Sequence, residues 1–218
     1  MRSLTEKLWL DVSLWSADLA NLQQEIARLE PHADSFHVDA CDGHYVPHLV
    51  FFPDLVARLR ELTRVPFHLH LMATRPMDLL TAFLDAGVDR VTVPIECGKR
   101  VWQVLDHVHS KGKAAGISFE LDTPVDLVRP FRSKIDTVVM MGTAIGVKGC
   151  ELDERACDRV TAMKSLLDET PIRLVADGGI RQETAPLLRA SGADGIVPGS
   201  LLCKSADVAE TAKWLKSL

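Results

Sequence analysis

Two rhythms of apolar and polar positions alternate along this chain. Short, mostly apolar runs recur at 8–14, 35–40, 67–72, 90–95, 114–119, 137–141, 172–177 and 195–199. Runs of this length, bounded by Gly, Pro and polar positions, predict buried strands. Between them the apolar spacing widens to three or four. Leu19, Leu22, Ile26 and Leu29, within 17–30, fall on one face of a helix. The stretch 76–87 opens on Pro76, suited to a first helical turn, and closes on Gly87, suited to the position just past a helix end. The stretch 181–192 closes the same way on Gly192.

Eight strands thus alternate with about eight helices. That order predicts a parallel sheet. Eight βα units predict a closed (β/α)₈ TIM barrel, one α/β domain over 1–218, with lean loops because such barrels typically need ~250 residues. An open doubly wound sheet is disfavoured, since no GxGxxG follows the first strand.

Composition narrows the classes. Hydrophobic types make up 47% of the 218 residues and charged types 25%, which suits a sizeable core and argues against disorder. The net charge of −5 comes without a basic stripe or a charged tail, so no nucleic-acid partner is expected. No window approaches 18 apolar residues, so no membrane span is expected. Glu6, Lys7 and Asp11 break the apolar run at the N-terminus, which does not read as a signal peptide. Five scattered cysteines without a CxxC pair read as reduced thiols of a cytoplasmic protein.

Titratable side chains gather where strands are predicted to end. The stretch "SFHVDACDGHYVPH", 35–48, carries His37 and Asp39 two apart, hence on one face. The third strand carries His68 and His70, and the seventh ends on Asp177. In a parallel barrel the C-terminal strand ends form the catalytic rim. If these faces point inward, imidazoles and carboxylates from three strands converge. Such a mixed N/O set accepts one divalent ion, Zn, Fe, Mn or Co, without choosing among them. Taken singly, each residue reads equally as a hydrogen-bonded core histidine or a helix-capping aspartate.

Gly178-Gly179 and Gly199-Ser200 follow the seventh and eighth strands, where barrels commonly bind phosphate through backbone N–H groups. The plainer reading is a pair of ordinary βα turns.

The motifs "SLWSADLANL", "FHVDACDGHYVP", "HLHLMATRP", "VADGGI" and "GADGIVPGS", in that order, resemble the ribulose-phosphate 3-epimerase family, from about residue 12 to residue 203. The resemblance implies a (β/α)₈ barrel that inverts C3 of a ketose phosphate with one divalent metal, often zinc or iron. It implies His37, Asp39, His70 and Asp177 as metal ligands, with Asp39 and Asp177 as the acid/base pair. It implies substrate contacts at Ser13 and His70, and phosphate contacts at Gly178, Gly179, Gly199 and Ser200. Met72 and Met141 match methionines near the metal. The cation would polarise the C2 carbonyl and hold the enediolate, while one carboxylate removes the C3 proton and the other returns one on the opposite face. A homo-oligomer is implied as well, with Trp9, Trp15, Trp102 and Trp214 as candidates for a contact surface.

Departures from the family pattern cluster around the pocket. The loop after the sixth strand, usually like NPGFGG, reads "TAIGVKG" at 143–149. Gly146 and Gly149 persist, and Lys148 replaces a glycine and becomes a candidate phosphate contact. Pro94 stands for a histidine, Glu120-Leu121 for Asn-Pro, Cys41 for a methionine, His68 for an aspartate and His48 for an asparagine. These changes raise the expectation of a different ketose phosphate, such as allulose 6-phosphate or a tetrulose phosphate. A related decarboxylase class carries DxKxxD, which "DACDGH" lacks. A non-catalytic, phosphometabolite-binding barrel is the remaining reading.

Overall fold

The apolar runs become β1 (Trp9–Ser13), β2 (Ser35–Cys41), β3 (Phe67–Met72), β4 (Arg90–Pro94), β5 (Ala114–Phe119), β6 (Thr137–Met141), β7 (Arg173–Asp177) and β8 (Gly195–Val197). These strands pair in sequence order, all parallel, and β8 pairs back onto β1 to close the barrel. The computed structural model describes residues 7–218. Residues 1–6, with Glu6 and the start of the N-terminal reading, lie outside the described residues, as does the first part of the 1–218 domain span.

Among the described residues eight α-helices accompany the strands: α1 (Leu22–Leu29), α2 (Pro53–Arg60), α3 (Met77–Asp85), α4 (Arg100–Ser110), α5 (Ala156–Leu166), α6 (Thr184–Ala190), α7 (Ser200–Cys203) and α8 (Val208–Lys216). The alternation departs from strict form in two places. Between β5 and β6 the chain makes a 3₁₀ stretch, Val125–Phe131, in place of an α-helix. Pro130 within it has no N–H to give an α-helical ladder. After β8 two helices follow, α7 and α8, instead of one. Helix α1 also starts later than its apolar spacing suggests, and Leu19 is 47% exposed. Asp18 explains this: its carboxylate accepts the Ala20 N–H at 3.0 Å and the Asn21 amide at 2.7 Å. That local turn competes with helical hydrogen bonding. Gly87 and Gly192 follow α3 and α6 with φ of +96° and +106°, as helix-stop glycines do.

Strand parity divides the molecule into two environments. Outward residues such as Leu10, Val12, Phe36, Val38, Leu69, Leu71, Val91 and Ile117 pack under the helices in one continuous core. On β6, β7 and β8 the inward positions Val139, Met141, Val175 and Val197 form a small apolar cluster of their own. On β1 to β5 the interior is polar: Asp11, His37, His68, His70, Thr92 and Ser118 are each at most 1% exposed. A barrel interior is ordinarily filled by branched apolar side chains. Here half of it is built from hydrogen-bonding groups. All five cysteines are free thiols.

Candidate active site

The register brings the predicted residues together. His37 lies across from His68, and Asp39 from His70, on the paired strands β2 and β3. Asp177 ends β7. Ser13 ends β1 and its hydroxyl is 3.4 Å from Asp39 Oδ2. His37 Nε2 lies 3.3 Å from Asp39 Oδ1 and 3.7 Å from Asp177 Oδ2. His70 Nδ1 lies 3.7 Å from Asp39 Oδ1 and 3.8 Å from Asp177 Oδ2. One donor atom from each of these four residues falls within 4.8 Å of all the others.

Two observations fit a cation at their centre. The first is a pair of orphans. His37 Nε2 and His70 Nδ1 are buried and have no hydrogen-bond partner. A buried polar atom without a partner is costly and calls for a ligand or ion. The far nitrogen of each ring is held: His37 Nδ1 by Asp11 Oδ2 at 2.9 Å, His70 Nε2 by Ser118 Oγ at 3.1 Å. Anchoring one ring nitrogen turns the other toward the centre. The second is charge. Burial works against ionisation of Asp39, yet His37, and less strongly His70, hold its carboxyl well below the usual carboxylate range. Burial resists an imidazolium at His37, and Asp39 and Asp11 overcome it to raise the proton affinity of the ring. Burial and the nearby Asp39 lift the Asp177 carboxyl above its ordinary range, against the pull of His37 and His70. A cation where the four donor atoms meet would balance the two carboxylates. Two imidazoles and two carboxylates are a donor set for a divalent transition ion.

Above the cluster opens a cavity of about 400 Å³. Its walls include Ser13, Met72, Met141, Gly146, Gly149, Gly178, Gly179, Gly199 and Ser200. Gly178 and Gly179 have φ of +91° and +69°, and a Cβ on Gly178 would sit 2.4 Å from Thr143 Oγ1. Only glycine fits that turn. Lys148 also lines the cavity. Its Nζ donates to the Trp15 carbonyl and lies 4.4 Å from the centre of the Trp15 ring. Glu120 is not among the lining residues and accepts the Tyr45 hydroxyl beside the loop after β2.

Several residues of the site escaped the sequence reading. Arg181 and Lys204 add two cations to the cavity wall. Their place just beyond "DGGI" and just after α7 is the clue that went unused. Asp11 was read only as a charge interrupting the N-terminal apolar run. Its parity with Ser13, two residues on, puts it on the inward face. Of the four tryptophans, Trp15 and Trp214 pack against the main core, and Trp9 Nε1 donates to Ser35 Oγ at 2.9 Å. Trp102, 37% exposed, stacks on Phe131.

Fold and site together define a (β/α)₈-barrel enzyme with paired carboxylates and imidazoles at its catalytic rim. Residues 9–203 match the ribulose-phosphate 3 epimerase family. The chain belongs to this family, and with it to the carbohydrate epimerases of the isomerase class. A ribulose-phosphate 3-epimerase of Treponema pallidum is 34% identical over 206 residues, 89% of this chain and 94% of that protein. One from Chlamydia pneumoniae is 31% identical over 215 residues, 96% and 94% of the two chains. A cytoplasmic isoform from Oryza sativa subsp. japonica is 30% identical over 209 residues, 94% and 91%. Among solved structures, an orotidine 5′-phosphate decarboxylase from Pyrococcus horikoshii superposes with a TM-score of 0.68 at 16% identity, covering 95% of this chain and 97% of that one. That likeness speaks to the fold alone.

Among the described residues, no helix is long and apolar enough to cross a membrane.

Proposed function

We propose that this protein is a divalent-metal-dependent 3-epimerase of a ketose phosphate, with ribulose 5-phosphate and xylulose 5-phosphate as the reference pair. The observation that carries the reading is the convergence of Asp39 and Asp177 on the bare nitrogens of His37 and His70, at the floor of a cavity walled by Gly178, Gly179, Gly199 and Ser200. His37 Nε2, His70 Nδ1, Asp39 and Asp177 would hold the ion. When bound, a divalent cation supplies Lewis acidity that makes the hydrogen α to a carbonyl removable at neutral pH.

The chain's own groups carry the rest. Asp39 and Asp177 stand on β2 and β7, with β1 and β8 between them in the ring. A sugar lying across the mouth presents one face of C3 to each. One carboxylate takes the C3 hydrogen, leaving a planar enediolate. The other delivers a proton to the opposite face, and the roles exchange in the reverse direction. The glycine turns after β7 and β8, with Arg181, Lys204 and Lys148, hold the phosphate and fix the distance to C3. Binding energy from that remote group thereby orients the reacting carbon. Met72, Met141 and Val197 wall the cavity and limit water near the enediolate.

A second reading, turnover of a different ketose phosphate, is favoured by one feature. Ile145 of the loop after β6 packs on the cluster of Cys41, Val46 and Met72, while Lys148 reaches Trp15. Val147 and Lys148 of this loop line the cavity with side chains where a glycine-rich sequence would leave room. We further read the protein as one barrel domain, a homo-oligomer, and cytoplasmic like its plant relative.

The deciding experiment pairs metal analysis with catalysis. The protein, loaded with Zn²⁺, Fe²⁺, Mn²⁺ or Co²⁺, is assayed on ribulose 5-phosphate, allulose 6-phosphate and tetrulose phosphates in D₂O. Deuterium at C3 with epimer formation is expected for one substrate class. Tight binding without deuterium incorporation would replace the epimerase with a phosphometabolite-binding barrel. Epimerisation by the metal-stripped protein at an undiminished rate would remove the ion from the reaction.

A further inference from the structure

We propose that Asp11 is a positioning residue for the cation site. It is a carboxylate buried beneath the four donor atoms that fixes His37 with Nε2 bare toward Asp39 and Asp177, and it shares this task with His68. The inference rests on the cation reading above and assigns a role to two residues that touch neither ion nor substrate.

The hydrogen-bond chain fixes every donor. Trp9 Nε1–H can only donate, and it donates to Ser35 Oγ at 2.9 Å. The Ser35 hydroxyl hydrogen is then directed to Asp11 Oδ1, at 2.5 Å. The other oxygen, Asp11 Oδ2, faces two ring nitrogens, His37 Nδ1 at 2.9 Å and His68 Nδ1 at 2.6 Å. A carboxylate oxygen only accepts, so both rings carry hydrogen on Nδ1. His68 Nε2 lies 2.7 Å from Thr92 Oγ1, whose hydroxyl satisfies it. Three donors from β2 and β3 thus meet one carboxylate on β1, in a layer where Asp11, Ser35, His37, His68 and Thr92 are each at most 1% exposed.

The hydrogen-bond partners of this carboxylate among the described residues are Ser35, His37 and His68, and an apolar residue would fill the barrel more cheaply than a buried charge. What the arrangement achieves is directional. With its hydrogen held on Nδ1, the neutral His37 ring has its lone pair on Nε2, the atom left without a partner at the centre of the site. The negative charge behind the ring also strengthens that lone pair as a ligand, and loss of such a partner typically weakens metal binding ~10–100-fold. His68 spreads the Asp11 charge over two rings and braces the strand that carries His70. Position 68 lies directly across from His37 in the β2–β3 register, so a carboxylate there would approach the same ring from the neighbouring strand.

The test is Zn²⁺ affinity measured by competition with a chromophoric chelator, on the unmodified chain and three variants. Asp11→Asn keeps the shape and removes the charge; it is expected to bind Zn²⁺ ~10–100-fold more weakly. Asp11→Ala is expected to bind no better than Asp11→Asn. The double variant Asp11→Asn with His68→Asp returns a carboxylate to His37 from β3 and is expected to recover most of the loss. Asp11→Asn binding within about twofold of the unmodified chain would overturn the proposal. Long-range ¹H–¹⁵N spectra of the unmodified protein provide a readout independent of any variant's folding. Hydrogen on Nδ1 of both His37 and His68 supports the assignment, and a bare Nδ1 on either ring overturns it. An unmodified chain that ignores Zn²⁺ while showing both Nδ1 hydrogens would refute the cation reading and leave the Asp11 network standing, so the two failures are distinguishable.

Discussion

Replacing Asp177 with Asn leaves the shape of the side chain and removes one of the two proposed proton carriers. Asp177 is partly buried beside Asp39, and desolvation together with that neighbour raises its proton affinity. Any negative charge on it therefore opposes folding in the absence of a cation, and the amide carries none. Metal-free Asp177→Asn should melt within about 1 kcal/mol of the parent, because it removes a like-charge neighbour rather than a packing contact. Catalysis should fall far more. A positioned acid or base contributes ~10²–10⁴ in rate, or about 2.7–5.5 kcal/mol of barrier. The form of the loss is the sharper test. With Asp39 alone, only one face of C3 can be deprotonated, and the proton returns to the face it left. One epimer should exchange its C3 hydrogen with D₂O while almost none of the other appears. Asp39→Asn should show the converse preference. The assay is proton NMR of each epimer in D₂O, at Zn²⁺ concentrations that saturate each variant. Epimerisation by Asp177→Asn within a few-fold of the parent, or equal exchange of both epimers, would refute two-carboxylate transfer.

Gly178→Ala tests the turn after β7. A left-handed φ of +91° costs an L-residue about 1–2 kcal/mol. A Cβ 2.4 Å from Thr143 Oγ1 adds about 1–3 kcal/mol of overpacking. Urea denaturation should show a loss of about 2–5 kcal/mol, and inhibition by inorganic phosphate should weaken; an unchanged midpoint and unchanged inhibition would contradict the geometry. Asp42→Asn tests the loop after β2. Asp42 Oδ1 accepts the N–H groups of His44 and Tyr45 at 2.9 and 2.7 Å, and Oδ2 accepts the N–H and hydroxyl of Thr74 at 2.7 and 2.8 Å. An amide would turn N–H against N–H at Thr74 and cost about 2 kcal/mol at neutral pH. Burial opposes its ionisation, but these hydrogen bonds lower the Asp42 carboxyl from 3.8 to about 2. A depressed carboxyl stabilises the fold above pH 3.8 and loses that contribution as pH falls through about 2. Melting curves of parent and variant should therefore differ at pH 7 and converge near pH 2.

Much of the barrel is legible because its two faces obey different rules. Outward strand positions must be apolar to meet helices, so Phe36, Val38, Leu69 and Leu71 announce β2 and β3 by composition alone. Parity then assigns His37, Asp39 and His70 to the other face. What parity cannot supply is depth. Asp11 sits on a strand as apolar as the rest, and a single aspartate there reads as a solvent-facing charge. Only the pairing of β1 with β2 and of β2 with β3, which sets Asp11 across from Ser35 and His37 across from His68, reveals that it meets two imidazoles. The 3₁₀ stretch after β5 was obscured for a different reason. The need for a covering segment between parallel strands is general, while Pro130 makes this one short and irregular. Glu120 looked like a pocket group because it stands just after β5 where the family carries an asparagine, yet it is hydrogen-bonded to Tyr45 instead. Lys148 reads as a free loop cation until Trp15 is seen to offer it both a carbonyl and a ring.

The order of the four proposed ligand residues along the chain has a consequence for how the protein comes into being. During synthesis His37, Asp39 and His70 leave the ribosome early, and Asp177 follows only when most of the polypeptide is out. No nascent fragment ending before β7 holds the full set, and no open sheet brings β7 round to β2. On the proposed reading, the complete ion site and the paired carboxylates are consequently assembled only once β7 has joined the barrel.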